Sequence, residues 1–237
     1  MPDLYRAAVK QSLSDLLDEA DSIVNARLSE IATKHLAGQH DQSTHGRKKA
    51  GSTMPYIMQD SPTASLNEMV IRDAKLPEAH TDGLERVEFV EKSFIHARNM
   101  KGESVDAYGT YDPRNNTMQL SSNAGNIPVI GGAVVLHEMG HHVHLVKLDD
   151  AKAKEWTAIS RNGDSCRISA YGQTNRGEHF AEAYRLYARG GTYRAKLRNA
   201  EPESYKFMAS IFRGKGVLPI GKKAPLDWGR YDDRIAE

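Results

Sequence analysis

The sequence predicts an α+β domain preceded by a helical extension. Three observations carry that expectation. Residues 134–145 form an apolar, histidine-rich run of helical character, residues 105–122 read as a β-hairpin, and residues 4–36 repeat apolar side chains at intervals of three and four. The order of these segments divides the chain into a helical extension with a His/Gly-rich linker over 1–54, a central domain over 55–214 and a tail over 215–237. With 237 residues the chain can bury a sizeable core.

In the extension, Leu13, Leu16, Leu17, Ala20, Ile23, Val24, Leu28 and Ile31 form one apolar stripe, with Asp15, Asp18, Glu19, Asp21 and Lys34 on the other faces. Such a stripe suits docking on its own domain, ahead of dimerisation or a partner helix. The periodicity stops over residues 35–54, where Gly38, Gly46 and Gly51 mark a linker. His35, His40 and His45 recur at intervals of five, which neither helix nor strand brings to one face, so they are not read as a metal site. Residues 35–46 resemble a short segment that recurs in phage-associated proteins, which bears on origin and not on chemistry.

The central domain opens with helix candidates over 65–76 (Leu66, Met69, Val70, Ile71) and 83–99 (Leu84, Val87, Val90, Phe94, Ile95). Two strands come next, over 105–111 and 117–122, with Asp112-Pro113-Arg114-Asn115-Asn116 as turn residues.

The run at 134–145 contains His137-Glu138-Met139-Gly140-His141, an H-E-x-x-H sequence. On a helix, residues four apart lie one above the other, so His137 and His141 aim two imidazoles at one point, a geometry that suits zinc. Glu138 is then placed to take a proton from water. The apolar stretch 129–136, interrupted by Gly131 and Gly132, suggests that this helix is buried. The competing reading is an amphipathic helix whose histidines happen to stand four apart. His144 lies about 10 Å further along the axis than His137, too far to share an ion with it, so His142 and His144 are flanking residues.

A third ligand decides between these readings. Asn175 is a good N-cap; Glu178 then falls at the third helical position, and Phe180, Ala181, Tyr184 and Leu186 supply an apolar face. Glu178 and Glu182 are four apart and repel unless positive charge lies beside them, as a divalent ion with two imidazoles does. Alternatively, Glu178 forms a capping box with Asn175 and Glu182 sits on a solvated face.

Residues 137–141, together with 171–175 and 178–184, resemble the catalytic domain of the anthrax lethal-factor type of zinc metallopeptidase. The resemblance continues through Arg185-Leu186, Asn199-Ala200 and a helix over 202–212, and so covers about residues 134–214. It implies a zincin-like (gluzincin) fold with a small mixed sheet, an active-site helix and C-terminal helices. It also implies zinc as cofactor, Glu178 as the third ligand beside His137 and His141, Glu182 as a carboxylate orienting a ligand, and Tyr171 as the hydroxyl facing the developing oxyanion. His179 departs from the aromatic residue expected there. The toxin's other domains have no counterpart, so its substrate preference does not transfer.

Composition narrows the function further. Lys plus Arg (32) balances Asp plus Glu (31), and Arg47-Lys48-Lys49 is too short a basic run to change this, so no nucleic-acid partner is expected. Neither a signal-peptide run nor a membrane-length apolar stretch is present, and the single Cys166 fits a reducing compartment as a small core residue. A soluble cytoplasmic protein, in a host cell or a phage particle, is expected. The expected function is that of a zinc-dependent endopeptidase with Glu138 as general base. Its polypeptide substrate would add as an extended strand beside the hairpin, a segment that a purely structural role fits equally. The alternatives are a catalytically weak zinc-binding module of a phage particle and a hydrolase of amides outside polypeptides.

Overall fold

The computed structural model describes residues 57–58, 71, 74–90, 95–98, 104–121 and 128–232. The helix expected over 4–36, the linker over 35–54 and most of the helix expected over 65–76 lie outside these residues. The chain divides into two units between Thr44 and His45, and the described residues all belong to the second.

Its described strands are β1 (Ile57–Met58), β2 (Arg86–Val90), β3 (Ile95–Arg98), β4 (Ser104–Ala107), β5 (Gly109–Asp112) and β6 (Thr117–Ser121). Four of them form a mixed sheet in the order β1-β2-β6-β5, in which β1 and β6 run parallel to β2 while β5 turns back antiparallel to β6. Asp112 pairs with Thr117 and Gly109 with Leu120, so the turn at residues 113–116 closes the hairpin where its residue types predict. Successive side chains point to opposite faces. Val87, Met118 and Leu120 are wholly buried on one face, while on the other Glu88 accepts hydrogen bonds from Arg86 and Gln119.

Two expectations change here. Where a helix is expected over 83–99, residues 86–90 and 95–98 form β2 and β3, and residues 105–111 are split between two sheets, β4 pairing with β3 and β5 with β6. The spacing of Leu84, Val87 and Val90 fits a helix. Yet Arg86-Val87-Glu88-Phe89 alternates polar with apolar, and its β-branched and aromatic side chains suit a pleated, half-buried surface.

The helices whose full range is described are α1 (Glu78–Thr81), α2 (Pro128–His142), α3 (Asp150–Ser160), α4 (Arg176–Arg189), α5 (Gly191–Ala200) and α6 (Pro202–Ile211), and a five-residue π-helical turn, Val143–Lys147, extends α2. The chain is buried continuously from Val135 to Leu148, with polar His137, Glu138, His141, His142, His144 and Lys147 buried alongside the apolar residues. It contacts β5 and β6 and packs most extensively on α4. Leu136, Met139 and Val143 join Val87, Met118 and Leu120 in one core with Trp156, Phe180, Tyr184 and Phe207. The expected α+β class, with a small mixed sheet, a central helix and C-terminal helices, is the one observed.

Gly140 sets the distance between the two central helices. A Cβ there would lie 2.8 Å from the Cα of Ala181, so α2 and α4 touch backbone to backbone. The tail is tied to the same region, with Leu218 N donating to Lys147 O (2.8 Å), Ala224 N to Val146 O (2.8 Å) and Asp149 N to Gly216 O (3.0 Å). Among the described residues no helix is long and apolar enough to cross a membrane.

Candidate metal centre

Helix α2 presents His137 and His141 on one face, and the first turn of α4 presents Glu178 to them. His137 Nε2 lies 3.1 Å from His141 Nε2 and 3.1 Å from Glu178 Oε2, which is 3.4 Å from His141 Nε2. All three residues are buried. For zinc–nitrogen and zinc–oxygen bonds of about 2.0–2.1 Å, the edge of a tetrahedron is about 3.3 Å, so these separations are those of three ligands around one ion. Two imidazole nitrogens directed at each other and at a carboxylate also call for positive charge between them.

The electrostatics agree. Burial alone would lower the pKa of His137, but its hydrogen bonds to Glu178 and Glu182 outweigh this and raise it to about 10. Burial would raise the Glu178 carboxyl, yet the imidazoles of His141 and His137 hold it well below the usual carboxylate range. His137, His141 and Glu178 thus form a donor set that could hold a metal ion.

Local structure explains why Glu178 is available. Asn175 caps α4 with its own side chain, accepting from Glu178 N at 2.9 Å. The carboxylate of Glu178 turns to the histidines and to the Tyr231 hydroxyl, which donates to Oε1. Both sequence readings of this residue are therefore partly realised: its backbone serves the cap and its side chain serves the cluster.

Glu182, one turn further along α4, accepts from His137 Nδ1 at 3.0 Å, which leaves Nε2 of that ring to face Glu178 and His141. Arg185 grips the same carboxylate through Nε (3.0 Å) and Nη2 (2.9 Å). Burial works to raise the Glu182 carboxyl, but these bonds from His137 and Arg185 outweigh it and keep it ionised. Its face of α4 is buried, not solvated.

Glu138 is buried between the cluster and strand β5. A Cβ on Gly109 would stand 2.9 Å from its Oε1, so only a glycine fits there. Burial pushes its carboxyl up from the ordinary value, against the pull of both imidazoles. Tyr171, on the short 3₁₀ turn Tyr171–Gln173, has its ring 5.7 Å from that of His137 and is 56% exposed, so it stands on the open side of the cluster.

His142 and His144 stay outside. The ring of His142 spans the Tyr111 hydroxyl (2.8 Å) and Asp82 O (3.0 Å), and His144 stacks on Phe180 with ring centroids 4.6 Å apart. A second group, Cys166, His179 and Glu201, also brings three donor atoms within 4.8 Å of one another. Here His179 Nε2 sits 2.7 Å from Glu201 Oε2, and the other oxygen accepts from Arg167 N. That is hydrogen-bond spacing, shorter than a ligand edge, and it ties α4 to the start of α6.

Two partners of the site carry no role in the sequence reading. Arg185 was legible as an i,i+3 neighbour of Glu182. Tyr231 gave no signal except as an aromatic residue in an aperiodic tail.

Residues 116–211, under half of the chain, match the family described as "Anthrax toxin lethal factor, N- and C-terminal domain". No curated protein matches the chain. Among solved structures, it is similar to the Pro-Pro endopeptidase PPEP-2 from Paenibacillus alvei, at 16% identity and a TM-score of 0.46, over 66% of this chain and 97% of that one. The family match runs from the turn before β6 to the end of α6 and includes His137, Glu138, His141, Tyr171, Glu178 and Glu182. The stretch of this chain that carries the cluster is thus the stretch that is similar to the lethal-factor family.

Proposed function

We propose that the protein is a zinc-dependent endopeptidase, with His137, His141 and Glu178 as metal ligands and Glu138 as general base. The observation that carries this reading is the buried triangle of donors, 3.1, 3.1 and 3.4 Å on its edges, with a carboxylate of raised pKa beside it. Three protein ligands are the number found in catalytic zinc sites, whereas structural sites use four. The lethal-factor match over the same residues supports the choice of zinc.

When bound, zinc supplies a Lewis acid that lowers the pKa of water and polarises a carbonyl. The chain's own residues do the rest. Glu138 takes the proton of the attacking water and passes it to the leaving amine; its burial raises its basicity towards what that transfer requires. The Tyr171 hydroxyl, on the open side, donates to the oxyanion as it develops. Glu182, itself gripped by Arg185, holds the Nδ1 proton of His137 and so fixes the tautomer that leaves Nε2 free.

The substrate is a polypeptide lying extended along β5. That strand ends the four-stranded sheet among the described residues, and its Gly109 touches Glu138, so a chain added at this edge would pass by the base.

Glu138→Gln tests the assignment. The variant should hold one zinc as tightly as wild type and cleave an unstructured protein about 10²–10⁴-fold more slowly. Chelator should abolish wild-type cleavage. Zinc-loaded wild type that leaves such a substrate intact would make the protein a zinc-binding module and not a peptidase.

A further inference from the structure

We propose that Tyr231 is a positioning residue of the metal centre, which pins one oxygen of Glu178 so that the other is presented to the ion. The inference rests on reading His137, His141 and Glu178 as zinc ligands, and it extends the site to the C-terminal segment.

Glu178 divides its two oxygens between two tasks. Oε2 faces both imidazoles, at 3.1 and 3.4 Å, while Oε1 accepts from the Tyr231 hydroxyl. A carboxylate on a helix can rotate about its last torsion and present either oxygen, or both. A hydroxyl fixed on one of them removes that freedom and leaves a single-oxygen ligand, which suits a four-coordinate ion.

The hydroxyl itself is held from several directions. Gly177 N donates to Tyr231 O at 2.8 Å, which caps a second free amide of the first turn of α4. The Tyr231 ring lies over that of His141, centroids 5.3 Å apart. A Cβ on Gly177 would fall 2.4 Å from two ring carbons, so the ring occupies space that only a glycine leaves open. On either side the segment is tied to the helices: Arg230 donates to Leu148 O and Asp150, Arg176 to Gly229 O (2.7 Å), and Asn162 to Asp232 (3.3 Å). Every tie leads back to α3, α4 or the turns beside them. The segment thus delivers one phenol to one ligand across 53 positions of sequence.

The test is zinc affinity, measured by competition with a chromogenic chelator, in wild type, Tyr231→Phe, Glu178→Ala and the double variant. Tyr231→Phe keeps the ring and removes only the hydroxyl. It should weaken zinc about 10–100-fold, the usual loss for a partner of a metal ligand, while the melting of the chelated protein stays as in wild type. Gly177→Ala, which displaces the ring, should lose zinc affinity likewise. In the Glu178→Ala background, Tyr231→Phe should change nothing further, because the hydroxyl acts through that carboxylate. Equal zinc affinity in Tyr231→Phe and wild type, or an undiminished loss in the Glu178→Ala background, would overturn the inference. Zinc binding that depends on Tyr231 in a protein that cleaves nothing would uphold it and remove the peptidase reading. Zinc binding indifferent to Tyr231 in a protein that cleaves would do the reverse.

Discussion

Gly109 and Glu138 are in contact with no room for a side chain between them: a Cβ on Gly109 would lie 2.9 Å from Oε1 and 3.1 Å from Cγ of Glu138, and 2.5 Å from Cγ1 of Val134. Strand β5 is therefore pressed against Glu138, the proposed base, by bare backbone. Gly109→Ala should push the Glu138 carboxylate aside without touching the proposed ligands. A base misplaced by about 1 Å can lose on the order of 10²-fold in rate, and that is the expected fall in turnover, with zinc affinity retained. Steady-state cleavage beside a zinc titration checks this; wild-type turnover in the variant would separate the strand from the base.

Glu182 holds His137 while Arg185 holds Glu182, so a chain of three side chains sets the angle of one imidazole. Glu182→Gln keeps the shape and removes the charge, and the amide can meet the ring with its NH₂ instead of its oxygen. Zinc affinity should fall about 10–100-fold. Chelator competition reads this directly, and unchanged affinity would mean that His137 is oriented by packing alone.

How much was legible in the sequence depends on how local each interaction is. His137, Glu138 and His141 stand within one turn of one helix, so their convergence needs only helical geometry. Glu178 was readable from Asn175 three residues before it, but sequence left open whether its side chain caps the helix or faces a metal. The choice depends on α2 lying alongside, a tertiary fact. The strand β2 carries apolar residues at positions that satisfy periods of both three and two, and pairing with β6 decides between them. Tyr231 lies 53 residues from Glu178 in a segment without periodicity, and no local rule could place it.

Gly140 shows the same dependence from the side of packing. A Cβ there would meet Ala181 Cα at 2.8 Å and Tyr184 Cβ at 3.2 Å, and the first of these is backbone that cannot swing away. In an isolated helix, Gly140→Ala would be favourable by about 1 kcal/mol. Here α2 and α4 must separate, and overpacking of this kind costs about 1–3 kcal/mol. The variant should be no more stable than wild type in denaturant. It should also bind zinc more weakly, since the helices that move apart carry His137 and His141 on one side and Glu178 on the other. A clear gain in stability would show that the contact is soft.

His80 gives the fold a pH dependence of its own. Wholly buried, it donates from Nε2 to Ile211 O (3.2 Å) and accepts at Nδ1 from the Tyr184 hydroxyl (2.9 Å), joining α1 to α4 and α6 as a neutral ring. Burial lowers its pKa from 6.5 to about 4; the Ile211 carbonyl opposes the shift and the charge of Lys147 adds to it. The unfolded chain takes up a proton near pH 6.5, whereas the folded chain resists until about 4. The stability that His80 contributes is thus fully present above pH 6.5 and is lost as the pH falls towards 4. The difference between those two values is worth about 3 kcal/mol. His80→Gln cannot titrate. With chelator present throughout, wild type should lose about 3 kcal/mol more than the variant between pH 7 and pH 4, read by denaturant unfolding at each pH. Parallel curves for the two proteins would mean that His80 reaches water, or a counter-charge, when it takes its proton.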